Sequence, residues 1–437
     1  MNRSHALLCV ALLVAEPALA ENLIEVVRAA QSYDAQFAAA RLTEAAQREK
    51  PPQALAGLLP KLDATANTRW NDADNRTTNR SFTYNSNAYE IKLTQPLFRA
   101  SNYVQYRQGE LAALQAGMAL RKSANELVVR ASEAYFNVLA ARDSLAFIQA
   151  QKIAISEQLA QARRNFEVGT ATITDTNEAQ ARYDLATARE IAAENDLEIR
   201  RRALAQIAGQ RYENLVPLKA SAQIPDAAPN DMNVWVESAQ KDAYAVREQE
   251  FFVEIAKREI ERSKYAHYPT LDLVATHGRN ASNNISANGA RTETQANVIG
   301  LELVVPLFAG GGTQSRVRES VSLHEKARAD LDHVRRSSEF TARQLFLGLT
   351  NGRAQVRALE QALKSSETAL ASNRLGYNVG VRINIDVLNA QQQVFETKRD
   401  LSKARYDAII NGLKLKASTV GLTEEDLTAI NGLLGNE

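Results

Sequence analysis

The chain has 437 residues, long enough for two or three ordinary domains. Its 52 basic and 51 acidic residues nearly cancel, which argues against a nucleic-acid surface and against an acidic solvating tail. One cysteine rules out a disulfide framework, and the scarcity of aromatic residues, 6%, in an alanine-rich, charge-laced chain leans towards long helices.

The first twenty residues read as a signal peptide. Arg3 supplies the positive start, Ala6 to Ala15 the short apolar stretch, and Ala18-Leu-Ala20 a small-x-small cleavage site. The lone Cys9 lies inside it, so an exported mature chain would carry no thiol. Beyond Ala20 no run of eighteen apolar residues occurs, and no transmembrane helix is expected.

Next come strand signals. Leu62, Ala64 and Ala66 alternate with polar neighbours, as do Tyr89, Ile91 and Leu93. Later in the chain Leu271, Leu273 and Ala275 alternate with Asp272, Val274 and Thr276, and Ile299, Leu301, Leu303 and Val305 with Gly300, Glu302 and Val304. The tracts Asn71 to Asn87 and Gly278 to Ala296 are rich in Asn, Thr, Ser and Gly and read as loops. Pro60, Pro96, Pro269 and Pro306 are expected to bracket the strands.

From Leu97 to Val216 there is no proline, nor any from Leu307 onwards. Within the first tract Leu127, Ala131, Ala134, Val138, Ala141, Leu145 and Ile148 recur at alternating steps of four and three, a seam for helices packed side by side. One continuous helix over Asn102 to Glu167 would be about 100 Å long at about 1.5 Å per residue. Gly169 and Gly380 each interrupt a helical tract, and Asp175, with Glu178 three residues on, reads as the cap that starts the next helix. Each interruption therefore predicts the tight turn of a very long helical hairpin.

The chain repeats itself. Phe166 to Gln180 and Tyr377 to Gln391 share five of fifteen aligned residues at an offset of 211. Pro60-Lys-Leu-Asp63 returns as Pro269-Thr-Leu-Asp272, and Pro96-Leu-Phe98 as Pro306-Leu-Phe308. Tyr135-Phe136 has its counterpart in Leu345-Phe346. The expected organisation is a signal peptide over 1–20, a first repeat over 21–210 with a β-hairpin about 61–96 and a helical tip near 169–175, and a proline-rich connector over 211–230. A second repeat over 231–421 has its β-hairpin about 270–306 and its tip near 380–386, and 422–437 forms a C-terminal segment.

Four amphipathic strands cannot seal themselves, and open sheet edges are not tolerated in a bilayer. Pooling the strands of several copies resolves this. Two chains give eight strands around a filled interior, and three give twelve, enough to leave a conduit. The alternative is an exported soluble coiled-coil scaffold without a pore.

These residues resemble the TolC-type outer membrane channel-tunnels of Gram-negative bacteria, from Glu21-Asn-Leu to Gly421-Leu. The resemblance is carried by Ala134-Tyr-Phe-Asn-Val-Leu139, Phe166-Glu-Val-Gly-Thr170, Ile173-Thr-Asp175, Tyr377-Asn-Val-Gly380 and Ile385-Asp-Val-Leu388. It implies an α+β membrane protein of two tandem repeats of helical hairpins and β-hairpins. Three copies would form a twelve-stranded outer-membrane β-barrel continued by a twelve-helix periplasmic α-barrel. It implies passive exit, by multidrug efflux or type I protein secretion, for substrates delivered by an inner-membrane ABC or RND transporter through a periplasmic adaptor protein. By the same resemblance Asp386 lines the pore constriction as an anionic ring that binds cations. The second family aspartate, one turn on, is replaced by Asn389, so cation binding there is expected to be weaker. Thr174, Asp175, Tyr377 and Arg382 match the links that hold the entrance shut. Val168, Gly169 and Thr170, with Val379, Gly380 and Val381, match the adaptor-docking tips.

No enzymatic motif is present. Gly310-Gly-Gly-Thr313 lacks the lysine of a phosphate loop, the five histidines show no metal-ligand spacing, and no cofactor is expected.

Overall fold

The computed structural model describes residues 21–77, 79–283 and 291–435; the expected signal peptide lies outside them. The chain order is the same motif written twice. Three helices, α1 (Leu23–Tyr33), α2 (Ala35–Arg48) and α3 (Lys50–Leu55), lead into strands β1 (Lys61–Asn75) and β2 (Arg80–Phe98). Helices α4 (Ala100–Glu167) and α5 (Ile173–Ala208) follow. After a helix-free connector come α6 (Met232–Asp242), α7 (Tyr244–Tyr265), β3 (Thr270–Ser282), β4 (Thr292–Val304), α8 (Gly312–Asn378) and α9 (Asn384–Ala417). Helix α10 (Glu424–Asn431) ends the described chain. The predicted long helices are there: α4 has 68 residues and α8 has 67. Among the described residues no helix is long and apolar enough to cross a membrane.

By contacts the chain forms two compact units, and each draws on both repeats. One gathers residues up to Ala38, Ala124–Trp235 and Thr341 onwards; the other gathers Ala39–Ser123 and Val236–Phe340.

The second unit contains one antiparallel sheet of order β1-β2-β3-β4. Its register runs from Lys61↔Thr94 to Asn75↔Arg80, and from Thr270↔Val304 to Ser282↔Thr292. The strands therefore extend well into the tracts read as loops. Residues 71–75, 80–87, 278–282 and 292–296 are all paired strand. A ladder is made by backbone groups, so once register is set, polar side chains do not end it. Pro96 does not bracket β2 but sits inside it, at a register shift against β3 between Pro96 and Phe98. It lies beyond Thr94, the last residue paired to β1, where a bulge tolerates the missing N–H. Among the described residues strands β1 and β4 have no partner on their outer edges. Apolar side chains stand exposed there, among them Leu62, Ile299, Leu301 and Leu303.

The first unit holds the main core. Leu23, Val26 and Ala30 of α1 pack with Leu127, Ala131, Tyr135, Phe136 and Leu139 of α4, and with Leu204, Leu413 and Leu415. The predicted α4 seam is too narrow here. Tyr135, Phe136 and Leu139 are as buried as Leu127 and Ala131, because tertiary contacts cover more of α4 than one helical stripe. The connector is strapped to both ends of the described chain. Glu21 N–H donates to the Asn214 carbonyl at 3.0 Å, and Lys219 N–H to that of Leu433 at 3.0 Å. Tyr135 OH reaches the Val216 carbonyl at 2.8 Å, and Arg142 that of Leu215 at 2.9 Å.

Helix α10 begins with a Thr423–Asp426 capping box, and Asp426 also pairs with Lys416 of α9. Burial alone would raise the Asp426 carboxyl, but its bonds to Lys416 and Thr423 outweigh this and hold it below the ordinary value of 3.8. A depressed carboxylate stabilises the fold above its unfolded value and loses that contribution as pH falls through the folded one. Protease accessibility of the C-terminal helix should therefore rise between neutral pH and about pH 3. Unchanged cleavage across that range would show that apolar contacts alone dock α10.

Candidate functional site

The turns after α4 and α8, both in the first unit, explain the repeated sequence. In the first, Val168, Gly169, Thr170 and Ala171 donate to the carbonyls of Arg164, Phe166, Asn165 and Asn165. In the second, Val379, Gly380, Val381 and Arg382 donate to those of Leu375, Tyr377, Gly376 and Gly376. The two turns thus make the same four backbone bonds, residue for residue. Gly169 has φ +78° and Gly380 φ +77°, the left-handed conformation that ends a helix and that side chains oppose. Neither glycine is crowded, so backbone conformation, not space, demands glycine there.

The turns are tighter than expected. Asp175 is not the cap of α5: Thr172 is, and Asp175 is the third helical residue completing its box. Asp175 accepts from Thr172 N–H at 3.0 Å and from its hydroxyl at 2.7 Å. The left-handed glycine reverses the chain so quickly that α5 begins three residues earlier than the Asp175–Glu178 pattern suggests. Asp386 holds the equivalent position in α9, behind Ile383, whose side chain makes no capping bond.

Asp175, Tyr377 and Arg382 line one cleft of about 530 Å³, together with Asn165, Thr170 and Asn384. Thr174 is exposed on the first turn of α5 and lies outside the cleft lining. Within one chain Arg382 lies 3.6 Å from Asp386, one turn along, while Asp175 bonds Thr172. Tyr377 accepts from Asn165 Nδ2 at 3.0 Å, joining α8 to α4. Val168, Val379 and Val381 present exposed apolar side chains at the two turns.

Three links escaped the sequence reading. Asn165 is the first. The second is a buried pair, Gln158 Nε2 donating to Asn384 Oδ1 at 2.6 Å, which ties α4 to the first residue of α9. The third is Arg182 of α5, which donates to Asn389 and Gln392 of α9 at 2.7 and 2.9 Å. Gln158 carried a signal: it lies between Ile155 and Ala162 at steps of three and four, a polar residue in an apolar row. Further up the same helix pair, Asp143 of α4 accepts from Ser402 and Tyr406 of α9, both at 2.7 Å. Burial pushes the phenols of Tyr135 and Tyr406 well above their ordinary range, so both remain neutral donors. Among the described residues no cluster of His, Cys, Asp and Glu is arranged to hold a metal ion.

A duplicated chain of long helical hairpins, carrying a sheet with two open edges, defines a class of outer-membrane channel. Residues 26–210 and 235–420, the two repeats, match the outer membrane efflux protein family, and the chain belongs to it. It is similar to the alkaline protease secretion protein AprF of Pseudomonas aeruginosa, 33% identical over 96% of this chain and 88% of that protein. It is also similar to the outer membrane protein TolC of Vibrio cholerae, 32% identical over 94% of this chain and 93% of that one. The proteases secretion protein PrtF of Dickeya chrysanthemi is 30% identical over 98% and 94%. The fold matches the crystal structure of VceC from Vibrio cholerae at a TM-score of 0.79, with 15% identity over 91% of this chain and 96% of that one. This protein is therefore an outer-membrane channel of the efflux and secretion class, with a large periplasmic part, and the pore-free scaffold reading is set aside.

Proposed function

We propose that three copies pool their four strands into one twelve-stranded barrel, and that the long helices form the periplasmic duct through which a pump's substrate leaves the cell. The two repeats, 21–210 and 231–421, joined by 211–230, give each subunit two equivalent hairpins. The exposed apolar turns Val168-Gly-Thr170 and Val379-Gly-Val381 dock a periplasmic adaptor, which couples the duct to an inner-membrane ABC or RND transporter. The single observation that carries this reading is the duplicated turn, with the same four backbone bonds and the same left-handed glycine at both tips. One docking unit can then grip both hairpins.

The cargo class we favour is exported protein, since two relatives are named for protease secretion. Small-molecule efflux is the second reading, supported by a more distant relative named as an efflux protein. Deleting the gene separates them. Loss of a secreted protein from the medium without drug sensitivity supports the first, and drug sensitivity with normal secretion the second.

At the entrance, Asp386 supplies an anionic ring with Asn389 one turn on. Thr174, Asp175, Tyr377 and Arg382 contribute links within and between subunits that close it, each worth about 0–1 kcal/mol as exposed bonds. A gate opened by a partner needs links of this weak kind. Asp386→Asn should weaken block by divalent cations in planar bilayers about tenfold, from three exposed charges at about 0.5 kcal/mol each. Block of unchanged strength would remove Asp386 from the constriction.

A further inference from the structure

We propose that Arg182 is a latch between the two tip hairpins, and that its charge offsets the anionic entrance and tunes the channel's ion preference. Arg182 belongs to the α4–α5 hairpin. Its two acceptors, Asn389 Oδ1 and Gln392 Oε1, belong to the α8–α9 hairpin. Asn389 and Gln392 are three residues apart and so share a face of α9. A planar guanidinium can donate to both at once along diverging directions. A lysine ammonium in the same place offers a point charge, not a fork.

Gln392 is itself held. Its Nε2 donates to Glu396 Oε1 at 2.8 Å, which leaves its carbonyl oxygen facing Arg182. Both acceptors of Arg182 are neutral amides, and no carboxylate among the described residues forms an ion pair with it. The contrast with Arg382 is direct, since that side chain lies 3.6 Å from Asp386. Arg182 therefore brings to α9, beside Asn389, a positive charge with no ion-pair partner among the described residues, and Asn389 is one turn on from Asp386. Breaking the fork removes the polar tie between α9 and α5 and leaves the apolar contact of Leu388 with Ala179 and Ala186; removing the charge leaves the Asp386 ring less balanced. The latch stands on geometry alone, whereas the charge effect rests on the reading of Asp386 as the entrance ring.

Four full-length variants in planar bilayers test both parts: Arg182→Lys, Arg182→Gln, Asn389→Ala with Gln392→Ala, and Asp386→Asn. Arg182→Lys and Arg182→Gln should both raise closed-state conductance, and the α9 double variant should do the same from the other side of the latch. Only Arg182→Gln should raise the ratio of cation to anion permeability, by up to about tenfold, since the trimer loses three charges at about 0.5 kcal/mol each. If Arg182→Gln assembles poorly, Arg182→Lys still tests the latch, because it leaves Asn389 at the constriction untouched. Conductance of the wild-type size in both Arg182→Gln and the double variant overturns the latch. A lowered cation preference in Asp386→Asn with none gained in Arg182→Gln overturns the charge role while keeping the ring. Unaltered preference in Asp386→Asn with raised conductance in the Arg182 variants upholds the latch and refutes the ring instead.

Discussion

Phe136→Ala should lower the unfolding free energy of the purified channel by about 3–5 kcal/mol, the usual loss for a fully buried aromatic cut back to alanine. Phe136 has no exposed surface. Its ring centroid lies 5.5 Å from that of Tyr135, edge-on, and 5.8 Å from that of Tyr406. Both neighbours anchor something further. Tyr135 holds the connector through the Val216 carbonyl, and Tyr406 holds α9 to α4 through Asp143. The cavity left by alanine would thus loosen two attachments besides removing apolar area. Thermal unfolding followed by circular dichroism in detergent reads the effect, and Phe136→Leu, which keeps most of the volume, should lose less than about 1.5 kcal/mol. A fall below about 1 kcal/mol in the alanine variant would mean that the surrounding helices collapse onto the space.

Gln158→Leu should shift the entrance towards its open form by about 5- to 150-fold, as expected for a loss of about 1–3 kcal/mol. Gln158 and Asn384 are both buried, at 7% and 3% exposure, so neither finds water when its partner goes. Asn384 Nδ2 already has no protein partner, and removing Gln158 would leave its carbonyl oxygen unmatched as well. The cheapest way to rehydrate Asn384 is for α9 to move off α4. The double variant Gln158→Leu with Asn384→Leu removes both polar groups and should return conductance most of the way to the wild-type level. Equal conductance in the single variant and the wild type would show that α9 stays on α4 as the entrance widens. A double variant as open as the single one would show that shape at this position matters more than the unpaired amide.

These two residues also mark where the sequence was legible. Gln158 and Phe136 lie on the same long helix, and that helix follows from a proline-free, alanine-rich tract with steps of three and four. The two hairpin turns were equally plain, because a helix that must reverse sharply uses a left-handed residue, and only glycine takes that conformation freely. The four strands followed from alternation, although their ends did not. Backbone pairing continued through tracts rich in Asn, Ser and Thr, whose few apolar residues, Phe82 and Tyr84 among them, are too sparse to mark where a strand ends.

The sequence by itself determined the duplication, the helix and strand types, and the positions of the turns, because these depend on local conformational preference and on periodicity along the chain. Only the tertiary structure decided which polar side chains meet. Gln158 with Asn384, Asn165 with Tyr377, and Arg182 with Asn389 and Gln392 are separated by about two hundred residues. A hydrogen bond depends on distances of a few tenths of an ångström in space and leaves no period in the chain. The same holds for the breadth of the core around Phe136, which is set by what lies on the far side of the helix and not by the helix's own seam.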